Sequence, residues 1–170
     1  MRPIRRHTPD PRDGAARRPP AGFSLVELLI VVAIIGIIAA IAIPNLLASR
    51  RAANEAAAIS AVRTVTTAEE AYRATYGVGA SFTDLDGLVA KQLIDTTLGS
   101  AKTVAKAKSG YVYAVSTFDS GSLFCVGAAP ATVNTGTRNF SSDTPGVIYT
   151  HPLDIANPPN STAGGVPFNN

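Results

Sequence analysis

The sequence predicts an α+β fold in which one long N-terminal helix, apolar in its first half and amphipathic in its second, packs on a small antiparallel sheet. Three observations carry this expectation. Residues 23–43, FSLVELLIVVAIIGIIAAIAI, are an apolar run whose one charged residue is Glu27. Beyond Pro44, apolar residues recur mostly at three- and four-residue spacing as far as Tyr76. From Tyr111 the period changes to two, in YVYAVSTF and SLFCVGA.

Residues 1–22 are basic, polar and Pro-rich, with six arginines against Asp10 and Asp13, a balance of +4. Such a segment cannot bury a core and is expected to be disordered. From Phe23 onward nine basic residues face ten acidic ones, so the basic character of the whole chain belongs to its leader and gives no ground for nucleic-acid binding. Excess arginine ahead of an apolar run keeps that side in the cytoplasm.

The 21 residues 23–43 rise roughly 31 Å as a helix, enough for a bilayer core. A transmembrane anchor, a cleavable secretory signal and a buried soluble helix all have this look. Ala40-Ile41-Ala42 is a small-residue triplet that suits signal cleavage. Glu27 argues against that reading, and so does the helical pattern that continues past the triplet. An ionised carboxylate in hydrocarbon costs about 2.5–3.5 kcal/mol on insertion scales, so Glu27 asks for a reason.

Over 44–77 the residues Leu47, Ile59, Val62, Val65, Ala68, Tyr72 and Tyr76 form one stripe. Arg50, Arg51, Glu55, Arg63, Glu69, Glu70 and Arg73 are expected mainly off it, and Gly77 is a plausible stop. If continuous, the helix from Phe23 to Tyr76 is roughly 80 Å long, with Gly36 and Pro44 marking where it can kink or loosen. Thr83 is a candidate cap for a short helix through Leu88 that ends near Ile94.

Residues 78–150 form the expected globular head. Its first hairpin turns at Asp119-Ser120-Gly121, and a second, weaker one joins RNFSS to GVIYT around Pro145-Gly146. Residues 151–170, rich in Pro, Gly and Asn, are expected to fray or wrap on the surface.

Catalytic chemistry finds little support. Cys125 is the one cysteine, so neither an intramolecular disulfide nor a cysteine metal cluster is possible. His7 lies in the leader and His151 in a Pro-flanked stretch, and nothing joins His151 to Cys125. Cys125 falls mid-strand, where a small buried apolar role is expected. Asp119, Asp143 and Asp154 show no calcium-ligand spacing and suit turns. No metal, cofactor or enzymatic activity is expected.

GFSLVELLIVVAIIGIIAAIAIPNLLASR, residues 22–50, resembles the N-terminal signature of type IV pilins and of the pseudopilins of type II secretion. The resemblance is dense over 22–51, looser over 52–94, and beyond residue 110 only a general α+β layout. It implies a pilin-like fold and cleavage after Gly22 by a prepilin peptidase. It also implies N-methylation of Phe23, and a role for Glu27 in methylation and filament assembly. Many pilins close a C-terminal loop with a disulfide, and this chain cannot.

The expected function is therefore a structural subunit held in the inner membrane as a prepilin and polymerised through its N-terminal helix. Its expected partners are related subunits, the processing peptidase/methyltransferase and an inner-membrane assembly platform. A type II secretion pseudopilin is the alternative. An uncleaved single-pass binding domain explains the span but not Glu27, and a secreted enzyme lacks a visible nucleophile–base pair. Loops at 95–110 and 127–139 are the expected places for specificity.

Overall fold

The computed structural model describes residues 22–77, 81–144 and 146–168, so the leader through Ala21 lies outside the described residues. Helix α1, Leu25–Thr75, is 51 residues long and runs through both Gly36 and Pro44. Proline has no N–H, so the Ala40 carbonyl is without its usual partner four residues on. The chain divides into two compact units, Met1–Ile41 and Ala42–Asn170.

In the described part of the first unit, every residue from Gly22 to Ile38 is exposed. The exposed side chains include Leu28, Ile30, Ile34, Ile35 and Ile38, all more than half accessible. The helix is long and apolar enough to cross a membrane, and none of its most apolar eighteen-residue stretch is buried. A surface of this kind needs cover from lipid or from other helices, because apolar area left in water forfeits about 25 cal/mol per Å².

The second unit has a conventional core. Ala58, Ile59, Val62, Val65 and Ala68 of α1 are buried against Leu85, Leu88, Leu98, Tyr111, Tyr113, Phe124, Val126 and Phe140. Two short helices, α2 (Leu85–Ala90) and α3 (Thr96–Ser100), lie between α1 and the sheet in sequence. The sheet runs β1 (Tyr111–Phe118), β2 (Leu123–Pro130), β3 (Asn139–Asp143), β4 (Ile148–His151) and β5 (Val166–Pro167), antiparallel and in chain order. The first hairpin pairs Tyr111 with Pro130 and Phe118 with Leu123. Asp119, Ser120 and Gly121 all take positive φ at its turn, a region Asp and Gly tolerate well.

Three expectations are corrected. Glu55 and Glu69, placed off the buried stripe by sequence, are 7% and 0% exposed. The buried stripe on α1 runs Glu55, Ala58, Ile59, Val62, Val65, Thr66, Ala68, Glu69, with an acid at each end. The cap of α2 is Asp84 rather than Thr83: its side chain accepts from the Gly87 N–H, and the helix stops at Ala90. A separate helix, α3, follows under an Asp95 cap that accepts from the Leu98 N–H.

Of the two outcomes expected for the tail, fraying and wrapping on the surface, the structure has wrapping. His151 belongs to β4, Val166–Pro167 supplies β5, and Phe168 packs on the core. Between them, residues 153–159 are tied to the sheet. The Asn139 amide donates to the carbonyls of Asp154 and Asn157 at 3.0 and 3.1 Å and accepts from the Asp154 N–H at 3.2 Å. A side chain on Gly127 would strike the Pro159 backbone, so the strap requires glycine there. Residues 127–130 of the expected specificity loop belong to β2, leaving 131–138 as loop.

α1 ends as expected near Gly77, whose N–H reaches back to the Tyr72 carbonyl at 3.0 Å. A Cβ on Gly77 would sit 2.5 Å from the Ser81 carbonyl, which explains the glycine sterically.

Candidate functional site

Gly22, Phe23 and Ser24 precede α1 in non-helical conformation, and Phe23 is 76% exposed. Ser24 caps the helix: its hydroxyl accepts from the Val26 N–H at 3.3 Å and its carbonyl from the Leu28 N–H at 3.2 Å. In return the Ser24 N–H donates to Glu27 Oε2 at 2.9 Å. Glu27 thus makes its half of an S-x-x-E capping box, while the Ser24 hydroxyl caps the N–H one residue earlier; together they satisfy two backbone donors that the first turn would otherwise leave open. The carboxylate also lies at the positive end of the helix dipole.

The placement gives Glu27 a reason to be tolerated in an apolar helix. It faces the one part of a helix that has free donors. Ser24, the capping residue, is not singled out by the sequence reading, although its spacing from Glu27 is the recognised cap signal. A cation delivered next to Ser24 would find the carboxylate already oriented.

Among the described residues, Gly22 and Gly36 have no neighbour that explains a glycine. A Cβ added at either meets nothing within 4 Å apart from adjacent residues and, at Gly36, the helix's own backbone. Pro44 sits within α1, and every residue from Ile41 to Arg50 is exposed.

In the second unit the polar residues are structural. Burial pushes the Glu55 carboxyl up, but hydrogen bonds from Thr137 and Arg138 outweigh it and hold the group below its ordinary value. Glu55 Oε1 accepts from the Thr137 N–H and hydroxyl at 2.8 and 2.6 Å, and Oε2 accepts from Arg138 Nη2 at 2.8 Å. The Arg138 guanidinium also stands over the Phe140 and Phe168 rings, at 5.8 and 5.7 Å. Glu69 contrasts with it. Burial raises its pKa to about 7, aided by the charges of Asp84 and Glu70 and opposed by the Thr83 N–H, 3.0 Å away. Its Oε1 is buried with no hydrogen-bond partner.

Cys125 and His151 are not brought together. Cys125 stands opposite Asp143 and His151 opposite Asn139, at the two ends of β3. Burial pushes the Cys125 thiol up to about 12, and the 3%-exposed side chain is no nucleophile. His151 instead meets the hydroxyl of the fully buried Ser141 at 2.6 Å. Asp119 accepts from the Ser122 hydroxyl, Asp143 from Thr162, and Asp154 from the Asn157 amide. Among the described residues no group of three or more His, Cys, Asp or Glu is placed to hold a metal ion.

The geometry thus singles out the start of α1, and comparison with known proteins singles out the same segment. The family model for the prokaryotic N-terminal methylation motif matches residues 17–43. The type IV wide pilus major component PilA4 of Thermus thermophilus is 68% identical over 34 residues, 20% of this chain and 26% of that protein. The match therefore spans about a quarter of the curated relative's length. No solved structure matches the chain. The N-terminal segment of the chain therefore carries the prokaryotic N-terminal methylation motif and is similar over that stretch to a type IV pilus major component.

Proposed function

We propose that the chain is the structural subunit of a type IV pilus-like filament, made as a prepilin in the inner membrane with its N-terminus cytoplasmic. In this reading a prepilin peptidase cuts after Gly22, the new N-terminus on Phe23 is methylated, and an inner-membrane platform feeds subunits into the filament. One observation carries the proposal: the apolar first part of α1, exposed from its start to Ile38, has Glu27 as its single charged residue, at the capped start. Lipid covers such a surface before assembly and neighbouring helices cover it afterwards.

Cleavage leaves a positive amine on Phe23, one residue before the N–H that Glu27 already holds. Glu27 then has two possible cations, its own amine and that of a neighbour at a staggered position. The neighbour's amine neutralises two charges as helices bundle, and the gain is chiefly in register, because desolvation offsets most of the Coulomb attraction. The bare backbone of Gly36 suits close helix approach, and Pro44, which has no N–H to give the Ala40 carbonyl, is where α1 can bend or loosen.

The test is the mass and N-terminal sequence of the protein recovered from cells. A chain starting at N-methyl-Phe23 supports the proposal. A start at Ile43 points to secretion, and an intact leader to a permanent anchor. Glu27→Ala is expected to insert in the membrane as well as the parent while losing incorporation into filaments. Normal filament yield from that variant removes the neutralisation mechanism. Electron microscopy of sheared surface fibres, labelled for this chain, separates a surface pilus from a periplasmic pseudopilus.

A further inference from the structure

Glu69, near the C-terminal end of α1, stands where the helix, residues 81–84 and the turn of the first hairpin are joined. It is 0% exposed. Its Oε2 accepts from the Thr83 N–H at 3.0 Å, while Oε1 is buried with no hydrogen-bond partner. Next to Thr83, the Phe82 N–H donates to the Gly121 carbonyl at 2.7 Å and so fastens the hairpin turn to the same segment. The approach is close: a Cβ on Gly121 would stand 3.2 Å from that of Ser81. The rings of Phe82 and Phe124, both buried, pack on each other here at 4.4 Å.

A neutral carboxyl tolerates a buried site with one donor far better than a carboxylate does, because the anion has lost its water and gained too little in exchange. The charges around Glu69 do not compensate. Glu70, beside it on α1, and Asp84, the cap of α2, both act against ionisation. The nearby cations are engaged with rings: Arg73 stands over Phe82 at 5.2 Å and Lys91 over Tyr76 at 4.7 Å. Asp119 of the hairpin turn accepts from the Ser122 hydroxyl at 2.8 Å. With its proton, Glu69 still offers Thr83 an acceptor; without it, a buried anion has one donor for two oxygens. Residues 81–84 form no helix or strand, so lifting them breaks no ladder of hydrogen bonds and brings water to the carboxylate.

We propose that Glu69 is a proton-operated latch: protonated, it holds residues 81–84 and the first hairpin turn against α1; ionised, it releases both and uncovers Phe82 and Phe124. Burial raises the group to about 7 in the closed junction, against 4.5 in water. The latch is therefore fully shut below pH 4.5 and loosens as pH rises through 7. Opening is local, and the strands behind the turn keep their pairing.

The test is hydrogen exchange of the full chain in detergent micelles, read at single amides and corrected for the intrinsic pH dependence of exchange. Between pH 5 and pH 8 the protection of the Phe82 and Thr83 amides is expected to fall on the order of fiftyfold, the ratio that values of about 7 closed and 4.5 open impose. At every pH it is expected to lie below that of Val126, in the middle of the sheet, by roughly tenfold or more, as a local opening requires. The Ser122 amide, which donates to the Asp119 carbonyl at 3.1 Å, is expected to lose protection with them. Glu69→Gln keeps the shape without the titration and is expected to hold all three amides level across the range. A flat profile in the parent overturns the latch, and this holds even if the variant fails to fold. An equal fall in Glu69→Gln overturns the assignment to Glu69. Protection at Phe82 and Thr83 equal to that at Val126 shows global unfolding and overturns the local opening. A Ser122 amide that stays protected while the other two do not overturns release of the turn.

Discussion

Glu55 and Arg138, 83 residues apart, meet at 2.8 Å where α1 passes the loop between β2 and β3. The carboxylate is nearly buried, at 9% side-chain exposure, while the guanidinium is 46% exposed. The Coulomb part of the pair is therefore screened, and most of its worth lies in the donors that Glu55 satisfies, including both bonds from Thr137. Glu55→Ala leaves the Thr137 N–H and hydroxyl and the Arg138 guanidinium without their acceptor and is expected to destabilise by about 2 kcal/mol. Arg138→Met is expected to cost less, about 1 kcal/mol. Urea titration of the detergent-solubilised chain measures both, and equal losses would contradict this division. Because the folded Glu55 pKa is depressed, its contribution is present above the ordinary carboxylate value of 4.5 and lost as pH falls through the lower folded value.

Glu69 works in the opposite direction. Its folded pKa is about 7 against an ordinary 4.5, so the native state holds the proton more tightly than the unfolded chain. Stability from this group is full below pH 4.5 and is lost as pH rises through 7, on the order of 3 kcal/mol across the window. Glu69→Gln carries no such charge. It is expected to match the parent near pH 4 and to exceed it at pH 8, flattening the urea midpoint between them. A variant that runs parallel to the parent across that range would show that Glu69 is not the source of the slope.

These two acids mark where sequence and structure part. Residues 23–43 announce their helix because a run of that length and apolarity admits few alternatives, and the first hairpin announces itself by period two around Asp-Ser-Gly. A glutamate on an amphipathic helix is assigned to solvent by default. What buries Glu55 and Glu69 is a set of donors from Thr137, Arg138 and Thr83, distant in sequence and invisible to periodicity. The strap over the sheet was hidden likewise, since Asn139 reaches carbonyls 15 and 18 residues ahead through a Pro-rich stretch that looks unstructured. At the candidate site the reverse holds. Phe23 and Glu27 were legible through the motif, and Ser24 was passed over although its S-x-x-E spacing is local.

The strap gives the third prediction. The Asn139 amide group makes three hydrogen bonds to residues 154 and 157 and is 2% exposed. Asn139→Asp keeps the shape but loses both side-chain donations and buries a charge beside two carbonyls. It is expected to expose residues 153–159 to proteolysis and hydrogen exchange while leaving β1 and β2 protected. In a chain with one cysteine this amide takes the fastening role that a covalent loop closure would otherwise have. Loss of protection across the entire sheet would mean that the strap holds up the fold rather than itself.

The last prediction returns to the start of α1. In the membrane-embedded subunit the Ser24 N–H is held by Glu27, so its exchange with solvent deuterium reports the capping box directly. Ser24→Ala removes the hydroxyl cap but keeps the N–H, and is expected to weaken the first turn by about 1 kcal/mol while Glu27 stays bound to the backbone. Glu27→Ala releases that N–H and is expected to speed exchange at residue 24 several-fold, fraying the first turn without affecting Ile30 onward. The two variants then diverge in assembly. If Glu27 serves only as a cap, both give similar modest filament defects. If its principal role is to meet a neighbour's amine, Ser24→Ala assembles close to normally and Glu27→Ala does not. Glu27→Gln sharpens the comparison, because an amide can still accept from Ser24 yet brings no charge to the neighbouring Phe23. A filament-negative Glu27→Gln with slow exchange at Ser24 would separate the charge from the cap.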